Sequence, residues 1–202
     1  QNGNDKGNPR IVLFHKEDGL KAEDFFPKSV FLDSKNRIWW GTGKALSMLD
    51  MTAFALNEKE PDIQLDNIYL QENFVDYRNI KTEINDSLST TENEELEKAK
   101  FTGVTDFYNY PKDLELPYDL NHLTFNFSAI DWYAPYKLNY QYKLEGLDKN
   151  WNNLTTDNKA DYRNIPFGNY TFKVKAIGSA NKWSRTFEYS FVIQPPVWRT
   201  WW

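Results

Sequence analysis

The chain has 202 residues, with 24 Lys and Arg against 29 Asp and Glu for a net charge of −5, and 17% of it is aromatic. This is room for one large domain, or one domain and part of another, with enough apolar material for a packed core; the acidic balance, without a basic run interleaved with aromatics, excludes nucleic acid as an expected partner. The absence of cysteine excludes disulfides, thiolate metal sites and thiol nucleophiles.

From Arg10 to Leu49 the chain reads as short strands parted by turn signals, at Arg10 to Phe14, Ser29 to Leu32, Arg37 to Gly41 and Ala45 to Leu49. Asp33, Ser34, Lys35 and Asn36 form a turn between two apolar runs, which predicts a hairpin. The order Asp33, Ile38, Trp39, Gly41, Thr42, then a further strand from Ala45, resembles one blade of the two-component regulator propeller repeat. Asn36 and Ala45 stand where that repeat usually has glycine. A propeller needs several blades to cover one another's faces, and only one is legible here. Residues 1–60 are therefore expected to hold the last blade of a larger propeller whose earlier part precedes Gln1, whose polar surroundings read as a cut end.

From Asp62 the period-2 alternation restarts with Ile63 and Leu65, then slips by one residue at Ile68 and Leu70. A slip of one would turn every later side chain to the other face, so a bulge is predicted near Asp66 and Asn67. Residues 79–100 are polar and read as a surface insert, with a short helix favoured by composition over Thr91 to Lys100.

Leu123, Phe125, Phe127 and Ala129 alternate with Thr124, Asn126 and Ser128 in the clearest strand of the chain. Tyr140, Tyr142 and Leu144 repeat the pattern, as do Tyr170, Phe172, Val174 and Ala176, and then Phe187, Tyr189, Phe191 and Ile193. About seven short strands at this spacing, without a convincing long helix, predict an all-β fold, a two-sheet antiparallel sandwich. Pro195 and Pro196 end the last strand because neither can donate to a ladder. Trp198, Trp201 and Trp202 beside Arg199 suit the headgroup level just before a membrane span. No apolar run approaches the ~20 residues of such a span, and no signal peptide is visible.

Five pieces in order now resemble the Y_Y_Y domain, a triple-tyrosine sandwich of immunoglobulin or fibronectin type III type. They are Asn121 to Phe125; Tyr142, Gly146, Asp148 and Trp151; Tyr162, Pro166, Gly168 and Tyr170; Trp183 with Ser184; and Pro195 and Pro196 with the tryptophans after them. The resemblance spans about residues 61–202, dividing the chain into a blade at 1–60, a Y_Y_Y sandwich at 61–197 and a Trp-rich juxtamembrane end at 198–202. It implies the periplasmic sensor part of an inner-membrane hybrid two-component histidine kinase, of the kind found in Bacteroides-type bacteria. It further implies a homodimer of the full sensor, a glycan ligand held by the propeller, and no catalysis in this segment. The alternative is a stand-alone carbohydrate-binding or accessory module of a secreted protein.

The motif residues themselves read as scaffold. Tyr170, shortly after the turn at Gly168, resembles a tyrosine corner, and Tyr142 and Tyr162 are expected to fill the core with their hydroxyls at its edge. Asp148 to Asn152 begins like a calcium loop, but Asn153 stands at the required glycine and Lys159 at the bidentate glutamate, so no metal or cofactor is expected. The two histidines, His15 and His122, have no ligand or triad spacing. Asp131, Glu145, Asp148 and Asp161 are expected to be solvated charges, and Trp39 and Trp151 to be core residues. Trp40, Trp132 and Tyr133 remain open as sugar-stacking candidates.

Overall fold

The computed structural model describes residues 13–55, 58–79 and 98–196, and the chain divides into two compact units, Gln1–Leu56 and Asn57–Trp202. In the first unit, β1 (Phe25–Leu32), β2 (Arg37–Thr42) and β3 (Leu46–Asp50) make an antiparallel sheet in that order. The predicted strand at Arg10 to Phe14 is not seen at Leu13 and Phe14, and its other residues lie outside the described ones. The turn after β1 forms because the Asp33 carboxylate accepts the backbone N–H groups of Lys35 and Arg37, and Asn36 takes a positive φ of 60°.

Register puts Phe31, Trp39 and Met48 side by side on one face of this sheet, and Leu32, Ile38 and Leu49 on the other. Both faces carry exposed apolar side chains, although Ile38, Trp39, Trp40 and Leu49 are half-buried. Val30 is 68% exposed, Phe31 63% and Leu46 67%.

The second unit is a sandwich. One sheet runs β10 (Lys159–Tyr162), β8 (Leu123–Ile130), β4 (Asp62–Leu70); the other runs β7 (Leu114–Leu116), β12 (Phe187–Ile193), β11 (Gly168–Ile177), β9 (Asn139–Glu145). A small hairpin, β5 (Gly103–Val104) and β6 (Pro111–Lys112), lies beside them in sequence. The fold is all-β, as the alternation predicts, but among the described residues it is not purely antiparallel. β7 pairs parallel to β12, and Gln194 N–H extends that ladder to Leu116 O at 2.8 Å.

The predicted bulge is present. Leu65 pairs with Phe127 and Asn67 with Asn126, leaving Asp66 as the extra residue, so Ile63, Leu65, Ile68 and Leu70 all face the core despite the slip. Burial pushes the Asp66 carboxyl up, partly offset by a hydrogen bond from Ser128 Oγ at 2.9 Å. Most of the predicted helix over Thr91 to Lys100 lies outside the described residues; Lys100 is in an extended bridge to Glu115.

The core is aromatic because the inward positions of both sheets are. Phe125 of β8 stacks on Phe172 of β11 with centroids 4.2 Å apart and planes 4° apart, joining the two sheets. Phe127, Phe191, Tyr140 and Tyr189 pack around them, each at least nine-tenths buried. Burying one such ring is worth about 1.5–3 kcal/mol.

Candidate functional site

The three motif tyrosines lie on β9, β10 and β11 and are fixed by different means. Tyr170 is buried against Phe191 in a stacked pair, and its hydroxyl donates to Pro166 O at 2.8 Å, across the turn that leads into β11. Gly168, the first residue of β11, has φ 155°, and a Cβ there would lie 3.3 Å from the Tyr170 hydroxyl oxygen. Tyr162 packs on Phe125, Phe172 and Tyr142, and its hydroxyl donates to Asp148 Oδ2 at 2.7 Å. Burial, and then the Asp148 carboxylate, push its phenol well above the usual range. Tyr142, half-buried on β9, lies edge-on to Tyr162 and tilted on Phe127 and Phe172.

Asp148 is the keystone of the turn after β9. Its Oδ2 accepts Leu144 N–H at 2.8 Å as well as the Tyr162 hydroxyl, while its own N–H donates to Leu144 O at 2.7 Å. The turn needs Gly146, whose φ is 100° and where a Cβ would sit 2.9 Å from Tyr170 Cδ1 and 3.0 Å from Asn169 O. The sequence from Leu144 to Asp148 is therefore a turn that closes against Tyr170.

Trp151 is not a core residue. The chain after it returns along the outer edge of β9, where Asn152 N–H donates to Tyr142 O and Tyr142 N–H to Asn152 Oδ1, leaving the indole half-buried on the outer face. There Lys175 Nζ lies 4.5 Å from the Trp151 ring and 4.2 Å from that of Trp183, a cation between two indoles. Ser184, next to Trp183, donates its N–H to Ala176 O and accepts Ala176 N–H on Oγ, pinning the loop to β11. Pro195 is half-buried and Pro196 buried; Trp198, Trp201 and Trp202 lie outside the described residues.

In the first unit, Asp33 gathers the repeat motif. Its Oδ2 accepts Arg37 Nε at 2.8 Å and the Trp39 indole N–H at 3.0 Å, and these hydrogen bonds, Arg37 first, hold its carboxyl well below the usual carboxylate range. Trp39 is accordingly half-buried with Arg37 over its ring, not a core side chain. Thr42 closes the β2–β3 turn through Oγ1, which donates to Ala45 O and accepts Ala45 N–H. Gly41 has only ordinary contacts around a would-be Cβ; the close approach is at Gly43, where a Cβ would run into the Asp24 carboxylate.

The carboxylates expected to be solvated are all engaged. Glu145 pairs with Lys173 at 2.9 Å, and Asp161 with Arg163 at 2.8 Å. Asp131 is 5% exposed and ties two loops together, accepting Ser179 N–H and Oγ–H at 2.7 Å each, Tyr133 N–H at 3.0 Å and Ala134 N–H at 3.3 Å. Gly178 is part of this lock, since a Cβ there would collide with Asp131 Oδ2. Nothing in the local sequence marks Asp131 out except the turn-forming residues around it. The loop it fixes carries Trp132, 77% exposed, and Tyr133. Among the described residues no cluster of three or more His, Asp or Glu side chains suited to a metal is present.

Burial pushes the Asp131 carboxyl up, but the donors from Ser179, Tyr133 and Ala134 outweigh this and bring it below its ordinary value. A depressed folded value means stabilisation that is present above about pH 4 and lost as pH falls through that folded value. Asp131→Asn is expected to cost about 1–3 kcal/mol at pH 7 and to flatten the acid limb of the stability curve. Urea unfolding at pH 7 and pH 3 reads both effects.

Residues 133–194 match the family profile described as Y_Y_Y domain. The match takes in all three tyrosines and leaves β4 and β8 outside. The sequence is 22% identical over 193 residues to Histidine kinase P4 of Formosa agariphila, covering 95% of this chain and 13% of that protein. Its fold matches the structure described as the extracellular domain of hybrid two component system BT3049 from B. thetaiotaomicron. That match has a TM-score of 0.62 and 19% identity, over 91% of this chain and 22% of the other. A second extracellular domain from that organism, of system BT4673, is 22% identical over 85% of this chain and 20% of its own, with a TM-score of 0.47, too low to bear on the fold. This chain thus spans 13% of the curated relative and 22% of the solved extracellular domain that it matches.

Proposed function

We propose that this chain, which carries a Y_Y_Y domain at residues 133–194, is the transmitting part of an extracytoplasmic sensor region in a membrane-bound hybrid two-component histidine kinase. The observation that carries the reading is the pairing of two units of opposite character. The first is a three-stranded sheet with large apolar side chains exposed on both faces, and the second is a sandwich with a closed aromatic core. An isolated three-stranded sheet cannot bury two apolar faces by itself, whereas a propeller blade has neighbours on both sides. The first unit is accordingly the last blade of a propeller, and the remainder of that propeller holds the ligand, a glycan.

In this reading the sandwich performs no catalysis. Ligand binding alters how two copies of the full sensor sit against each other, and β12 passes the change on through the prolines toward the membrane. Such coupling requires two arrangements with different affinity for the ligand. Among the described residues no helix is long and apolar enough to cross a membrane.

The test uses the parent kinase in membrane vesicles, exposed to a partial hydrolysate of mixed polysaccharides. Deleting residues 62–196 is expected to abolish the change in autophosphorylation while leaving oligosaccharide binding intact. Retention of the phosphorylation response would overturn the transmission role. The second reading, a glycan-binding module, is favoured by one observation, the exposed Trp132 and Tyr133 on a loop fixed by Asp131. Calorimetric binding of oligosaccharides by the 202-residue chain, lost in Trp132→Ala, would select it.

A further inference from the structure

At the end of the sandwich where β12 finishes, four ionisable side chains stand in a ring. Asp161 on β10 is met by His122 Nε2 at 2.6 Å, Arg163 Nε at 2.8 Å and Thr124 Oγ1 at 2.7 Å. Glu72 Oε1 lies 2.8 Å from Arg163 Nη2 and 3.9 Å from His122 Nδ1. Carboxylate and nitrogen base thus alternate around the ring: Asp161, His122, Glu72, Arg163.

Glu72 sits in a turn that needs outside help. Gln71 and Glu72 have φ of 50° and 67°, a conformation that two successive non-glycine residues keep only when their surroundings impose it. Gln71 N–H donates to His122 O at 2.9 Å and Gln71 Nε2 to Asp119 O at 2.7 Å, while Leu70 and Asn73 exchange backbone hydrogen bonds. The other charges beside this turn, Asp119 and Lys98, lie 3.8 Å apart and pair with each other.

Arg163 holds Glu72 in either case, and the proton count on His122 decides whether His122 pairs with it as well. Burial pushes the Asp161 carboxyl up, but hydrogen bonds from Arg163, His122 and Thr124 outweigh it and hold the group well below the usual range. Asp161 is therefore ionised, and Nε2 must carry the hydrogen between them. A neutral imidazole then has only a lone pair at Nδ1, facing the Glu72 carboxylate. A second proton, on Nδ1, turns that opposition into an ion pair.

We propose that His122 is a proton-operated latch: doubly protonated it ties the 70–73 turn to β10 through Glu72 and Asp161, and singly protonated it holds Asp161 alone. The latch lies next to Leu123, which pairs with both Leu70 and Tyr162, so it stiffens the join between β4, β8 and β10. If the transmission reading above is right, this is the end through which the signal leaves, and its stiffness follows the pH of the surrounding compartment. The latch itself does not depend on that reading.

Amide hydrogen exchange by NMR on the 202-residue chain at pH 5.5 and 7.5, corrected for intrinsic rates, tests it. Protection at Gln71 and Asn73 is expected to be about two- to five-fold greater at pH 5.5, the size of a partly exposed ion pair. In Glu72→Gln, whose side chain is exposed and whose fold should persist, the two pH values are expected to give equal protection, and His122→Gln should do the same. Equal protection in the unaltered chain, or a pH difference that survives in Glu72→Gln, would overturn the latch. Neither outcome touches the kinase experiment.

Discussion

Phe172→Ala is expected to destabilise the sandwich by about 3–5 kcal/mol. Phe172 is fully buried at the middle of β11 and is the point where the two sheets meet, stacked on Phe125 at 4.2 Å. It also touches Phe127, Tyr142 and Tyr162, so its loss leaves a cavity bordered by rigid rings that cannot close on it. Urea unfolding followed by far-ultraviolet circular dichroism measures the loss. A double-mutant cycle with Phe125→Ala should show coupling of about 0.5–1.5 kcal/mol beyond additivity. A loss below about 1.5 kcal/mol would mean that the sheets are held elsewhere.

Gly146→Ala is expected to cost about 2–5 kcal/mol, the sum of two separate penalties. One is backbone: φ is 100°, where an L side chain is strained. The other is steric, because the added Cβ would press on Tyr170 and on Asn169 O. Moving the turn would pull Asp148 away from Leu144 N–H and the Tyr162 hydroxyl together. Gly19 offers a control, since its φ is also 100° but nothing lies within 4 Å of its would-be Cβ. Gly19→Ala should therefore cost only the backbone part, about 1–2 kcal/mol. If the two substitutions cost the same, each measured in its own unit, the packing of Gly146 against Tyr170 is not what the turn requires.

Most of the sandwich is legible in the sequence, because period-2 alternation is a local signal that survives in strands with one covered face. The bulge in β4 is the sharpest case: the phase slip between Leu65 and Ile68 already required an extra residue, and Asp66 is that residue. Short elements were not legible. β7 is three residues and β10 four, too few for a period to show, and β7 forms where β12 gives it a parallel partner and Lys100 bridges its Glu115. The surface was misjudged in a consistent way. Trp39 and Trp151 looked like core because they are large and apolar, yet each has an outward-facing ring lying beside a cation, Arg37 or Lys175. Asp131 and Asp148 looked like solvated charges because carboxylates usually are, yet each is fastened by backbone donors.

The sequence by itself determined the all-β class, the inward faces of the long strands, the bulge, and the match of residues 133–194 to the Y_Y_Y profile. These depend on residues close together in the chain, whose side-chain period or backbone freedom is written locally. Only the tertiary structure decided what the motif residues do. Tyr162 reaches Asp148 across 14 residues, Ser179 reaches Asp131 across 48, and Asp161 reaches His122 across 39. Such contacts arise when separate strands are laid side by side, and no local pattern encodes which polar side chain will find which partner.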